Sequence, residues 1–194
     1  PAQPEGTDVG TQRPLPTEGA GRAVPEVPRE VRETAGHAKP DLLGKLALRE
    51  GQTMWSMLTD LYGEYNQKVI REVSRANPGI KNLNRVQAGT LIRLPALAAD
   101  DSPLAGSGFR VRIAPSGNLE ETYALYRAHK ADAPSLILLP CWNPRQGMVF
   151  SIALRENFPD EAAARQGIGL LPAALASRAE VIAAPERDAV YYTR

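Results

Sequence analysis

With 194 residues and a net charge of +1, the chain has room for one or two domains and lacks the charge excess that a nucleic-acid partner usually demands. Its single cysteine, Cys141, excludes an internal disulfide and any multi-cysteine metal site. No apolar run approaches the roughly eighteen residues of a membrane span, so this stretch is expected to be soluble.

The chain opens at Pro1 without a methionine or a signal-peptide pattern, which suggests a piece of a longer protein or a processed product, with any anchor expected in a missing N-terminal part. Residues 1–40 hold seven of the 17 prolines, scattered charge and few large apolar side chains. Such a segment buries too little surface to offset its ordering entropy, and a disordered or extended tether is expected.

Residues 41–97 form the only segment with a net positive charge. Leu46 and Leu48 alternate with polar neighbours, as in a half-buried strand. After the Gly51-Gln52 turn, Thr53 can cap a helix whose Met54, Met57, Leu58 and Leu61 recur at three- and four-residue spacing. Gly63 is a natural stop, and Asn66 is a second cap before the stripe Val69, Ile70 and Val73. That second helix must end by Asn77-Pro78-Gly79, because proline cannot continue it. Thr90 to Leu94, entered through Gly89, reads as a closing strand. The unit is βααβ.

The motifs REGQTMWSM, RANPGI and VQAGTLIRLP, in that order, resemble a LysM domain across residues 45–95. The resemblance implies binding of N-acetylglucosamine-containing glycans in a shallow groove. Gly51, Gln52, Thr53 and Met54 would form one side, and Asn77, Pro78, Gly79 and Ile80 the other. Gly51, Pro78 and Gly79 are equally explained as turn residues, and Met54 as core. Trp55 lies beside the apolar stripe and is expected to be half exposed, where it could stack on a sugar.

Small, acidic and glycine-rich residues at 98–108 read as a linker, with a separate domain at 109–185 and a tail at 186–194. Phe109, Val111 and Ile113 alternate with Arg110 and Arg112, which predicts a strand with one apolar and one basic face. Ser116 or Asn118 can cap a helix carrying Leu119, Tyr123, Tyr126 and, as a further candidate, Ala124. Leu136 to Leu139 and Met148 to Leu154 read as strands around a turn at Asn143 to Gly147. Pro159-Asp160-Glu161 opens a helix through Ala164, Ile168 and Leu171, and Val181 to Ala183 is a candidate last strand. The order βαββαβ predicts a ferredoxin-like, four-stranded antiparallel sheet with both helices on one face, so the chain as a whole is α+β. Cys141, in the apolar run LILLPCW, is expected to be a buried, inert thiol.

FRVRIAPS together with MVFSIALRENFPDEAAARQGIGLLPAALAS resembles a SPOR domain. Such domains bind peptidoglycan through the open face of the sheet. Arg110, Arg112, Trp142 and Phe150 are then the candidate glycan contacts. Arg112 stands where the family often has glutamine, and its guanidinium can donate hydrogen bonds to sugar oxygens. The bland reading of Arg110 and Arg112 is a solvated strand face, and that of Trp142 a cap on the core edge.

The two histidines, His37 and His129, supply no metal triad and no histidine-activated nucleophile, and the adjacent acidic pairs sit at helix starts. No catalytic residue, metal or cofactor is therefore expected. The sequence points to a non-catalytic peptidoglycan-binding protein or region of the bacterial periplasm or cell envelope. It would anchor an envelope, division or secretion factor to glycan strands, with two sites joined by the linker for avidity. The targeting portion of a larger cell-wall hydrolase or ATPase is the alternative, and an RNA- or protein-docking module the third.

Overall fold

Four of the helices begin at a side chain that supplies the hydrogen bond their first turn lacks. The computed structural model describes residues 37–99, 107–133, 135–184 and 188–193, all within one compact unit. Its elements are β1 (Leu42–Ala47), α1 (Met54–Tyr62), α2 (Gln67–Ala76), a 3-10 turn (Leu83–Arg85) and β2 (Leu91–Pro95). These are followed by β3 (Gly108–Ser116), α3 (Leu119–His129), β4 (Leu136–Asn143), β5 (Gly147–Leu154), α4 (Glu161–Gly169), α5 (Ala173–Ala176), β6 (Ala179–Ala184) and β7 (Val190–Tyr191). Thr53 and Ser56 close a capping box on α1. Asn66 accepts from Val69 N at 2.9 Å, Asp160 from Ala163 N at 2.8 Å, and Asn118 from the amides of Glu120 and Glu121. Each cap contributes about 1 kcal/mol.

The stripe expected on α1 is buried, whereas Ile70 of α2, Ile168 and Leu171 are half-buried. Met57, Leu58 and Leu61 are fully enclosed, as is Val73 on α2. They pack with Ile92 and Leu94 of the antiparallel β1–β2 pair. In the second part of the chain the strand order is β6-β3-β5-β4-β7, with antiparallel pairing throughout. Alternation sends Val111, Ile113, Leu138, Phe150 and Ile152 into the core shared with Leu119 and Tyr123 of α3 and Ala164 of α4. On the opposite face Ile137, Leu139, Cys141, Ala153 and Tyr191 form a second buried cluster.

Three features differ from expectation. The sheet has five strands, because Val190–Tyr191 pairs with Trp142 and Cys141 along the edge of β4. A two-residue strand is too short to show a period. The last residues are thus no free tail: Tyr192 and Thr193 are buried, and Thr193 Oγ1 donates to Leu61 O at 2.7 Å. The helix expected to run through Leu171 stops at Gly169 and resumes as α5 after Pro172, as its glycines and the proline favour.

The third difference concerns separation. The segments expected at 41–97 and 109–185 share one continuous apolar core, from Leu43 to Tyr192. Most of the tether and linker, residues 1–36 and 100–106, lie outside the described residues. At the seam Ala99 N donates to Tyr191 O at 2.9 Å, and the space left between Tyr62, Leu97 and Tyr192 is about 10 Å³. Gly44 has φ 152° and lies under α3, where a Cβ would sit 3.2 Å from Leu119 Cδ2. The polar centre of the seam is Asp60. Its carboxylate accepts from Lys130 Nζ at 2.8 and 2.9 Å, from the Tyr123 hydroxyl at 3.1 Å and from the Tyr126 hydroxyl at 3.3 Å. The Asp60 side chain is only 10 % exposed, so these bonds are poorly screened by water.

Replacing Asp60 with alanine should therefore cost about 3 kcal/mol in urea unfolding, with one transition retained because the core is shared. Alkali gives a second check. Burial, reinforced for Tyr123 and Tyr126 by the negative charge of Asp60, raises the phenols of Tyr62, Tyr123 and Tyr126 above their ordinary value of about 10. A group whose folded pKa is raised contributes fully below its unfolded pKa. Stability from these three tyrosines should hold up to about pH 10 and fall above it, with phenolate absorbance rising together with unfolding.

Candidate functional site

The loop after α2 opens into a groove of about 380 Å³ that runs from Gly79 to Thr90. Two elements shape it. Asn77 caps α2, and Ile80 N donates back to Asn77 O at 3.0 Å, which turns the chain. Asn82 then accepts from Asn84 N at 2.8 Å and starts the 3-10 turn. Ile80 and Val86 give the groove its apolar surface, while Asn82, Gln87 and Thr90 give it amide and hydroxyl groups. Lys81 and Arg85 also line it, and among the described residues no carboxylate does. A polar ligand with several hydroxyl or amide groups, a small apolar face and neutral or negative charge suits such a lining.

The eight groove residues expected from the sequence divide. Gly79 and Ile80 line the groove, and Pro78 is exposed beside them. Asn77 is 6 % exposed, and its side chain is fully used inside the fold. Its Nδ2 donates to Val73 O at 2.7 Å and to Arg93 O at 2.8 Å, while Oδ1 accepts from Arg93 N at 2.8 Å. It ties α2 to β2 and does not line the groove. Met54 is core, and Thr53 is committed to its cap. Gln52 Oε1 accepts from Arg49 N at 3.2 Å and Gln52 Nε2 donates to the Tyr123 hydroxyl, so this side chain is held by α3. Gly51 is exposed with φ 71°, and its Cβ direction is open. None of residues 51–54 lines the groove. Trp55, expected to be half exposed, is 59 % exposed.

The four residues expected on the open sheet face are not brought together. Arg110 and Arg112 point to the side away from α3 and α4, and Phe150 and Trp142 to the other. Phe150 is 3 % exposed and belongs to the core. Arg112 Nε donates to Glu180 Oε1 at 2.8 Å. Arg110 is buried and donates through Nη2 to Asn157 Oδ1, and desolvation pulls its guanidinium below the ordinary value. Trp142 is half-buried with Lys39 Nζ 5.9 Å from its ring centre, next to the turn where His37 N donates to Pro144 O at 2.9 Å. It caps the core edge. Cys141 is buried.

Sequence reasoning missed Lys81, Asn82, Arg85, Val86, Gln87 and Thr90. Asn82 was the available signal, since an asparagine three residues before Arg85 can start a turn. Among the described residues no group of three or more His, Cys, Asp or Glu side chains is placed to hold a metal, and no helix is long and apolar enough to cross a membrane. Compared with family models, with curated proteins and with solved structures, the chain has no match.

If Asn77 is a staple, Asn77→Ala should destabilise the fold by about 2–3 kcal/mol in chemical denaturation, because three backbone groups lose their buried partner. Ligand binding per folded molecule should be unchanged.

Proposed function

We propose that this chain is a non-catalytic peptidoglycan-binding protein or protein region. In this reading residues 45–95 act as a LysM-like unit, and β3 to β6 with their helices as a SPOR-like unit. Together they hold a bacterial envelope, division or secretion factor against N-acetylglucosamine-containing glycan strands in the periplasm or envelope.

The observation that carries this reading is the groove at Gly79 to Thr90. It lies on the loop after the second helix of the βααβ unit, where the resemblance to LysM implies glycan contact. Its amides and hydroxyl can exchange hydrogen bonds with sugar hydroxyls and an acetamide, and Ile80 and Val86 offer apolar contact to the acetamide methyl. Lys81 and Arg85 suit an anionic wall polymer. A single glycan site on this loop accounts for these features, and the sheet residues Arg110, Arg112, Trp142 and Phe150 are given no joint role.

The test is co-sedimentation of the full chain with purified insoluble peptidoglycan, beside Gly79→Trp. A Cβ at Gly79 meets nothing within 4 Å, so the indole should enter the groove and leave the melting temperature unchanged. Binding should weaken about tenfold. Failure of the unsubstituted chain to sediment would sink the proposal, and undiminished sedimentation of the folded variant would move the site away from this groove.

A further inference from the structure

A second and larger cavity, of about 480 Å³, lies between the C-terminal end of β5, α4 and the turn after α3. It is independent of the glycan reading. Its floor is apolar, with Leu154, Phe158 and Leu171, and Leu170 stands at its lip with 89 % of its surface exposed. That leucine is the most exposed large apolar side chain among the described residues. Two carboxylates, Asp132 and Glu156, line the same cavity, together with the Gln166 amide. Among the described residues, no lysine, arginine or histidine lines it.

The floor is held rigidly. Phe158 exchanges both backbone hydrogen bonds with Phe109, each at 2.8 Å, which fastens it to the start of β3. Its ring lies against Gly167 of α4, where a Cβ would come within 2.8 Å of Cζ. A side chain there would have to push the ring aside, so the glycine lets the ring and the helix approach. A site of this volume with a preformed apolar floor and a few convergent polar groups fits a small ligand or a short peptide segment.

We propose that this cavity binds a short peptide segment of a partner protein, in which a leucine-sized side chain lies next to a lysine or arginine. The apolar side chain enters over Leu154, Phe158 and Leu171, adding contact to the exposed Leu170. The neighbouring cation meets Asp132 and Glu156. Charge complementarity selects this occupant, since both charged side chains of the lining are negative. An acidic or purely polar segment would lose the electrostatic contribution or the apolar one.

The test is a titration of the isotope-labelled full chain with Ac-Leu-Lys-Leu-NH2, followed by amide chemical shifts. Ac-Leu-Glu-Leu-NH2, Ac-Ala-Lys-Ala-NH2 and hexylamine serve as comparisons. Saturable shifts at Leu154, Gly167 and Leu171 are expected with the first peptide, at an affinity at least about fivefold above each comparison. The double variant Asp132→Asn with Glu156→Gln changes two exposed side chains to neutral isosteres, so its spectrum should keep the native dispersion. It should bring the lysine and glutamate peptides level. Equal binding of those two peptides to the unsubstituted chain would overturn the proposal, as would shifts confined to other regions or the absence of saturation. Hexylamine or the alanine peptide binding as tightly as Ac-Leu-Lys-Leu-NH2 would also overturn it, because the peptide or its apolar contact would then be unnecessary.

Discussion

The carboxylate of Asp60 is the constraint around which the two parts of the chain are arranged. It sits on α1 with 10 % of its side chain exposed, and its partners come from α3, more than sixty residues away. A carboxylate at that depth is stable only when hydrogen bonds replace its lost water, so α1 and α3 must meet in one orientation. The consequence spreads from there. Tyr123 donates to Asp60 and accepts from Gln52, which holds the loop before α1 against α3. Thr193 fastens the chain's last described residue to the end of α1.

Such a seam changes how a wall-binding reading should be framed. Two modules on a flexible linker gain avidity through effective concentration, which depends on linker length. Here the βααβ unit and the larger sheet share a core, so the orientation of the groove relative to that sheet is set by packing. A glycan strand held at Gly79 to Thr90 would meet the rest of the molecule in one geometry. Load on the chain would pass through Asp60 and the apolar seam as well as through the covalent connection.

Local features were legible in the sequence because their causes are local. Thr53, Asn66 and Asn118 cap the helices that their positions announced, and the stripe of α1 is buried, with Val69 and Val73 of α2, as spacing dictates. What could not be read were matters of partnership. Tyr123 and Tyr126 are buried as a helical stripe should be, but nothing near them in sequence points to Asp60. Phe150 shares strand parity with Ile152 and Leu154, which would have placed it in the core, whereas its relation to Arg112 depends on a register set across strands. Asn77 looked like a loop residue open to a ligand. Val73 of its own helix supplies one backbone partner, and only the approach of β2 supplies the other two, on Arg93.

The near-zero net charge also takes on a different meaning once charges are located. Among the described residues, the groove on the βααβ unit is lined by Lys81 and Arg85 without a carboxylate, and the cavity beside α4 by Asp132 and Glu156 without a cation. A sum of +1 therefore conceals two surfaces of opposite sign. Exposed charges are screened over about 8 Å at physiological ionic strength, so charges farther apart than this act on their ligands almost independently. Under the proposed readings, an anionic polymer would be attracted at one surface and a basic segment at the other, while the opposite charges leave the whole molecule close to neutral. Composition alone, which argued against nucleic acid, has no power against either of these local attractions, because each needs only two side chains facing the same space.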